Sequence, residues 1–193
     1  GEDTLSLHDA LPISRGMSLG HYVLLEKLGA GGMGEVFAAF DPRLDRRVAL
    51  KLLRAGSLSA EEGKARLLRE AQAMARLQHP NVVGVYEAGV HGEQVYVVME
   101  YVEDGTLADW LRARARGWQE VVGVLRQAGE GLAAAHAAGI VHRDLKPANL
   151  LLSFDRAGAP TPKVIDFGIA KLMESQPDSL RQTATGTLVG TPS

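Results

Sequence analysis

Apolar and polar residues alternate in three short runs near the start of the chain, and each run is bounded by glycine or by a polar turn. The runs begin at Tyr22, Gly34 and Arg46 and read YVLLEKLG, GEVFAAFD and RRVALKLL. Alternation with a period of two is typical of strands, so these runs predict a meander of three antiparallel strands. Residues 82–90 and 94–101 have the same character and predict two more strands.

A helical pattern separates the third predicted strand from the fourth. Between residues 59 and 78, Leu67, Met74 and Leu77 fall on one apolar stripe at helical spacing. Glu70 falls on the same stripe, although burying a charge costs free energy unless the charge is paired. The segment therefore predicts an amphipathic helix that carries one charge in need of a partner.

Helices dominate the second half of the chain. Residues 107–116 and 120–138 predict two helices, and Gly139 follows the second in the position of a C-cap. Residues 150–154 and 163–166 predict short strands on either side of a polar loop. A run of strands followed by a run of helices indicates an α+β fold.

Composition narrows the classes of function. The 193 residues include no cysteine, which excludes disulfides, thiolate zinc sites and cysteine nucleophiles. A net charge of -2 gives no overall attraction to nucleic acid, and no apolar stretch is long enough to span a bilayer. We therefore expect no nucleic-acid partner, no membrane segment in the visible chain and a cytoplasmic location. A membrane anchor elsewhere in the parent protein stays open.

The first sixteen residues, GEDTLSLHDALPISRG, show no periodicity and precede Met17, a natural start. They resemble translated adaptor or vector sequence. The alternative is a short native extension that stays disordered. Neither interpretation gives these residues a chemical role.

Glycines are concentrated between the first two long strands. The segment from Gly29 to Val36 reads GAGGMGEV and joins a strand to a strand. A dinucleotide-binding glycine motif opens a helix, whereas a glycine-rich hairpin can cover the phosphates of a nucleotide and donate backbone N–H groups. Taken alone, a plain glycine-rich hairpin is the commoner explanation.

A lysine stands on the third strand, in an otherwise apolar run. Lys51 is in register with Ala49 and follows Val36 by fifteen residues. A single lysine in such a place usually extends its ammonium group to solvent. Lys51 and Glu70 would each supply the partner that the other's burial requires. Two unrelated surface charges are the alternative when this pair is considered alone.

Two motifs in the second half decide between these alternatives. Residues 141–150 read VHRDLKPANL, and residues 166–168 read DFG. With the glycine segment, Lys51 and Glu70, they stand in the order and spacing of the protein-kinase signature. From about residue 21 to residue 192 the chain resembles the protein kinases. The string GAGGMGEVF resembles the bacterial, Hanks-type serine/threonine kinases that share the eukaryotic fold.

The resemblance implies a bilobal protein-kinase fold. Residues 1–16 would be a leader, residues 17–102 a complete N-lobe and hinge with an antiparallel sheet and one main helix, and residues 103–193 a partial helical C-lobe. The family continues beyond the position of Ser193, so about a third of a domain of about 250 residues would be absent. We therefore expect residues 1–193 alone to be inactive.

The resemblance also implies transfer of the γ-phosphate of ATP to serine or threonine hydroxyls of proteins. In the catalytic set, Asp144 would be the base that accepts the hydroxyl proton, and Lys146 would steady the γ-phosphate. Lys51, paired with Glu70, would contact the α- and β-phosphates. Magnesium or manganese would be held by Asn149 and Asp166.

The nucleotide would lie between the glycine loop and the hinge. Backbone groups of Glu100 and Val102 would meet the adenine edge, and Met99 would close the back of the pocket. The remaining contacts would come from the glycine loop and from apolar residues on the faces of adenine: Gly29, Ala30, Gly31, Gly32, Met33, Gly34, Val36, Ala49 and Leu151. Four residues match the hydrophobic column that links the lobes in active kinases: Met74, Val85, His142 and Phe167.

Threonines near the end of the chain match the activation segment of the family. A phosphate on Thr183 or Thr185 would pair with the guanidinium group of Arg143 and order this segment. A polar, solvated loop is the alternative that threonine content alone favours. Thr191 matches a threonine that bonds the catalytic aspartate and lysine in the serine/threonine branch, and Lys146 points to the same branch.

Other classes of function fit the sequence less well than a serine/threonine protein kinase does. A pseudokinase acting as a binding module would lack at least one catalytic group, whereas this sequence retains every catalytic group of the signature. For residues 1–193 by themselves, the alternative is an inactive ATP-binding fragment. A small-molecule phosphotransferase is disfavoured by Lys146 and Thr191. The implied partners are a protein with a serine or threonine acceptor and a second kinase copy for autophosphorylation.

Overall fold

Strands and helices lie in the order that the sequence predicts. The structure is a computed structural model that describes residues 15–31, 34–53, 68–69, 71–72, 74–92 and 94–167. Its strands are β1 (Ser18–Leu19), β2 (Tyr22–Gly31), β3 (Gly34–Asp41), β4 (Arg46–Leu53), β5 (Val85–His91), β6 (Gln94–Glu100), β7 (Leu150–Phe154) and β8 (Pro160–Val164). Its helices are α1 (Leu107–Ala113), α2 (Trp118–Ala137) and a 3-10 turn (Pro147–Asn149). The described residues between 68 and 75 are also helical.

Six strands form one antiparallel sheet in the order β1-β2-β3-β4-β6-β5. The predicted strands β2, β3 and β4 are confirmed. One face of each packs into a buried cluster that includes Leu24, Phe37, Val48 and Leu50, and β4 is buried on both faces over residues 48–53. The sheet is curled: Tyr22 on β2 donates a hydrogen bond of 2.7 Å to Glu87 on β5, although three strands separate β2 from β5 in the sheet order.

Several predicted boundaries differ from the structure. Residues 82–84 do not extend the fourth predicted strand; Val82 instead forms a parallel bridge with Val164 on β8. Helix α2 begins two residues early, because the Glu120 carboxylate accepts a hydrogen bond from the N–H of Gly117 and supports the first turn. Strand β8 begins at Pro160, inside the predicted loop, and proline is tolerated there because the sheet that β7 and β8 form has two strands and therefore only edges.

A second buried cluster joins the α-helices to β7 and β8. It contains residues from all four elements, among them Leu107, Val124, Leu150 and Val164. Helix α2 reaches the chain segment before β5 at Gly131, where an added Cβ would lie 2.6 Å from the carbonyl oxygen of Asn81. The absence of a side chain at this position therefore sets how closely α2 approaches. Among the described helices, none has the length and apolar character needed to cross a membrane.

Candidate active site

The loop from Val141 to Asn149 has an unusual backbone that buried groups hold in place. Arg143 has a φ of 64°, a left-handed conformation that is costly for a residue with a side chain. The buried ring of His142 donates from Nε2 to the carbonyl oxygen of Ile165 at 2.8 Å, and its Nδ1 accepts from the N–H of Asp144 at 3.3 Å. His142 is thus a packed structural residue, as the sequence interpretation has it.

The carboxylate of Asp144 is exposed but held by two side chains. Lys146 Nζ lies 2.8 Å from Asp144 Oδ2, and Asn149 Nδ2 donates to the same oxygen at 3.3 Å and to the Asp144 carbonyl oxygen at 2.8 Å. The hydrogen bond from Lys146 is the largest of the influences that hold the pKa of Asp144 below its usual value. The carboxylate is therefore ionised and oriented at neutral pH.

Lys51 is almost fully buried, and its charge is paired. Its Nζ lies 2.6 Å from Oδ1 of Asp166, and 5% of the residue is exposed. Asp166 has a φ of 60° and is, with Arg143, the second residue of the site in a strained left-handed conformation. The predicted partner of Lys51, Glu70, lies outside the described residues. Sequence reasoning missed the contact with Asp166, because Lys51 and Asp166 are 115 positions apart.

These side chains converge on one cavity of about 330 Å³. Its wall consists of the glycine segment on one side and the loop residues on the other: Gly29, Ala30, Gly31, Gly34, Val36, Lys51, Asp144, Lys146, Asn149 and Asp166. Gly34 is required by its surroundings, since it has a φ of 148° and an added Cβ would collide with the carbonyl oxygen of Leu52 on β4. Two lysines, two aspartates and an asparagine thus line one cavity together with residues of the glycine segment.

A second, more apolar cavity of about 420 Å³ adjoins the first and shares Gly29, Val36, Lys51 and Asp166 with it. The other residues that were predicted to contact adenine also line this cavity: Ala49, Met99, Glu100, Val102 and Leu151. Tyr101, which lies between Glu100 and Val102 in the predicted hinge, lines it as well, and the sequence prediction missed Leu28, Glu103, Gly105, Ala148 and Ile165. Leu28 and Ile165 directly adjoin Gly29 and Asp166, which is the signal that could have found them.

The four residues of the predicted hydrophobic column lie together. Met74 and Phe167 belong to one buried cluster, and Val85 packs against it. The rings of His142 and Phe167 have centroids 5.0 Å apart. The column therefore connects the residues before β5 to the loop that carries Asp144. Several other predicted site residues lie outside the described residues: Gly32, Met33, Thr183, Thr185 and Thr191.

Comparison with known proteins gives the family. The protein kinase domain pattern matches residues 22–193. The chain therefore belongs to the protein kinase family, and its α+β fold is the protein kinase fold. Its curled antiparallel sheet is that of the N-lobe, and helices α1 and α2 are part of the C-lobe.

Three bacterial relatives show the same family. They are named serine/threonine-protein kinases: Pkn1 of Myxococcus xanthus is 38% identical over 177 residues, PrkC of Bacillus subtilis 41% over 157 residues, and PknL of Mycobacterium bovis 39% over 181 residues. The matches cover 92%, 81% and 93% of this chain but 25%, 24% and 43% of the relatives. The chain thus spans about a quarter of the length of the first two relatives.

Solved structures agree with the sequence comparison. The kinase domain of Mycobacterium tuberculosis PknI matches with a TM-score of 0.70 and 30% identity over 81% of this chain and 63% of that chain. A double mutant of the same domain matches with a TM-score of 0.72 and 29% identity, covering 82% of this chain and 63% of the other. The resemblance to bacterial kinases that the sequence shows is confirmed.

Proposed function

We propose that this chain carries the catalytic centre of a serine/threonine protein kinase, which transfers the γ-phosphate of ATP to hydroxyl groups of proteins. The observation that carries the proposal is the meeting, at Lys51 and Asp166, of the apolar 420 Å³ cavity with the 330 Å³ cavity that is lined by further charged side chains. A flat apolar group would occupy the first cavity and a polyphosphate the second. The names of the relatives support serine and threonine as acceptors.

The donor set fits a magnesium nucleotide. Magnesium is usually bound in proteins by one or two carboxylates together with substrate phosphates. Asp166 supplies a carboxylate, and Asn149, whose Nδ2 is engaged with Asp144, has its amide oxygen left as a ligand. Within the described part of the chain, no three acidic or histidine side chains form a metal cluster, which agrees with a cation shared with phosphates. When bound, magnesium would supply charge neutralisation on the transferring phosphoryl group.

Asp144 and Lys146 would act on the acceptor and on the phosphate. Phosphoryl transfer requires mainly alignment and charge stabilisation, because its transition state is loose. The Asp144 carboxylate would accept the hydroxyl proton and orient the attacking oxygen. Lys146, already 2.8 Å from that carboxylate, would place a positive charge beside the γ-phosphate. Lys51 would contact the α- and β-phosphates at the other end of the same cavity.

Replacing the proposed base tests this function. Asp144→Asn in the full-length protein removes the proton acceptor but keeps the side chain's shape, so phosphate transfer should fall by at least about a hundredfold. Nucleotide binding should stay within about twofold of wild type, because the proposed role of Asp144 is toward the acceptor hydroxyl and the substitution leaves the lining of the apolar cavity unchanged. Radiolabelled phosphate transfer and calorimetric ATP binding measure the two quantities.

A matched control removes a carboxylate from the exposed face of α2. Glu130→Gln breaks a surface ion pair with Arg126 and should leave both measurements unchanged. Wild-type turnover in the purified Asp144→Asn protein would show that Asp144 is not the base. The absence of transfer by the wild-type protein, with ATP binding intact, would favour a binding module instead.

The regulatory assignment stays a prediction. The guanidinium-bearing residue Arg143 is exposed beside the catalytic aspartate. This position supports a role in holding a phosphate on Thr183 or Thr185, as in the sequence interpretation. The proposed limits of the lobes, 17–102 and 103–193, are likewise predictions.

A further inference from the structure

Glu100 takes part in two cavities. It lines the apolar 420 Å³ cavity proposed for adenine, and it also lines a separate cavity of about 280 Å³ that includes Gly84 and Lys163. Its backbone N–H donates to the carbonyl oxygen of Gly84 at 2.8 Å, and its carboxylate accepts from the N–H of Gly84 at 3.2 Å. The side chain of Glu100 is therefore held by a hydrogen bond to the segment that contains Gly84.

The same carboxylate binds Lys163. The Lys163 ammonium group lies 3.0 Å from each carboxylate oxygen of Glu100, and the two side chains are 17% and 29% exposed. Lys163 is on β8, three residues before Asp166, and it faces Leu151 of β7 across the two-stranded sheet. One ion pair thus joins the hinge end of the nucleotide site to the strand that leads to the proposed metal ligand.

Backbone hydrogen bonds complete a closed loop of contacts. The N–H of Val164 donates to the carbonyl oxygen of Asn81 at 2.9 Å, and the N–H of Val83 donates to the carbonyl oxygen of Val164 at 3.0 Å. Asn81 Nδ2 donates to the carbonyl oxygen of Pro162 at 2.9 Å. Residues 81–84 are therefore held against β8 at one end and against Glu100 at the other, and the Glu100–Lys163 pair closes the loop.

We propose that Glu100 and Lys163 are positioning residues that fix the distance between the adenine end of the site and Asp166. This inference rests on the proposed function, because it assigns the two ends of the site to one magnesium nucleotide. A ligand that engages both ends gains from a fixed separation, since neither end has to be reorganised on binding. A ligand that engages the hinge end alone gains nothing from it.

The experiment compares adenosine, which engages one end of the site, with Mg·ATP, which engages both ends. Adenosine reaches the hinge end, whereas Mg·ATP spans the site from the hinge to Asp166. In Lys163→Met and in Glu100→Gln, the affinity for Mg·ATP should fall by about fivefold and the KM for ATP should rise in parallel. The affinity for adenosine should stay within about twofold. Calorimetry on the full-length protein measures both affinities.

Two further variants separate positioning from folding. Lys163→Arg keeps the cation and should keep Mg·ATP affinity within about twofold. Arg126→Met breaks the ion pair with Glu130 on the surface of α2 and should change neither ligand. A general loss of folded protein in Lys163→Met would instead weaken both ligands equally.

The outcomes are distinct. Selective weakening of Mg·ATP in both variants supports the positioning role. Equal weakening of the two ligands, or no change in either, overturns it while leaving the proposed kinase function intact. Failure of the wild-type protein to bind Mg·ATP overturns the inference and the proposed function together.

Discussion

At the scale of single residues, the chemistry of the site depends on which neighbour each charge has. The ionised state of the Asp144 carboxylate is favoured by the hydrogen bond from Lys146, which outweighs the raising effect of desolvation on the pKa of Asp144. Lys51 is buried and would be unfavourable there without Asp166 at 2.6 Å. The two lysines of the site therefore differ: Lys146 lowers the pKa of the Asp144 carboxylate, whereas Lys51 is itself a buried charge that Asp166 balances.

The lowered pKa of Asp144 predicts a specific change in pH dependence. A base acts only when ionised, so activity is lost as pH falls through its pKa. Lys146→Met removes the main cause of the lowered pKa, and the acid limb of the kcat/KM–pH profile should therefore move to higher pH, in addition to a fall in kcat/KM itself. The measurement is kcat/KM of the full-length protein between about pH 3 and pH 8, a range that includes the usual aspartate pKa.

Lys27→Met is the control for this experiment. Lys27 forms an exposed ion pair with Glu35 on the neighbouring strand, far in sequence from the Asp144 loop. Its replacement removes one positive charge without touching Asp144, so the acid limb should not move. An unchanged acid limb in Lys146→Met would contradict the assignment of Asp144 as the titrating base.

At the scale of elements, two glycines of helix α2 differ in their surroundings, and only one of them affects the position of the helix. Gly131 faces Asn81, whose side chain and backbone both bond to β8, whereas an added Cβ at Gly129 would meet no atom within 4 Å. The close approach at Gly131 lets α2 pack against the segment that also carries the contacts to Glu100. A side chain there would push these elements apart.

The two glycines give a prediction with an internal control. Gly131→Ala should lower the free energy of unfolding by about 1–3 kcal/mol, because the new methyl group overlaps the backbone of Asn81. Gly129→Ala should raise it by about 0.5–1 kcal/mol, since alanine loses less backbone entropy in a helix. Urea unfolding of both purified variants gives the comparison. Equal effects of the two substitutions would mean that α2 does not pack against Asn81 as described.

At the scale of the whole molecule, one carboxylate closes the curled sheet. Glu87 on β5 accepts hydrogen bonds of 2.7 Å from Tyr22 on β2 and from Tyr96 on β6. The bond from Tyr22 is the largest cause of the lowered pKa of Glu87. Burial raises the pKa of Tyr96 to about 12 and raises that of Tyr22 as well, so both hydroxyls remain donors at physiological pH.

Closure of the sheet should therefore depend on pH. A carboxyl group whose pKa is lower in the folded state contributes stability above its unfolded pKa, about 4.3 for glutamate, and loses it as pH falls through the folded value. Glu87→Gln should lower the free energy of unfolding by about 1–2 kcal/mol at pH 7, because a charged acceptor is replaced by a neutral one. The difference from wild type should shrink as pH falls through the lowered folded pKa of Glu87, because its carboxyl group then becomes protonated.

Urea unfolding of wild type and Glu87→Gln at a series of pH values tests this. Glu26→Gln, an exposed residue of β2, should show no such pH-dependent difference. A Glu87→Gln deficit that stayed constant from pH 7 to pH 3 would show that the residue acts through packing and not through its charge.

Much of the fold and of the candidate site follows from the sequence alone. Strands β2, β3 and β4 begin where the alternation of apolar residues predicts, because strand geometry is set by each residue and its nearest neighbours. The residues of the two catalytic motifs could be chosen because their order along the chain matches one family. The structure then brings Lys51, Asp144 and Asp166 to one cavity.

The tertiary structure alone decided which of these residues contact each other. The pairs Lys51–Asp166, Tyr22–Glu87 and Glu100–Lys163 are separated by 115, 65 and 63 positions. No local pattern specifies such pairs, because each depends on how the sheet curls and on how β8 packs against residues 81–84. Periodicity along the chain indicates which face of an element is buried. The partner of a charged side chain is decided only when separate elements pack together, because burial in that contact makes an unpaired charge costly.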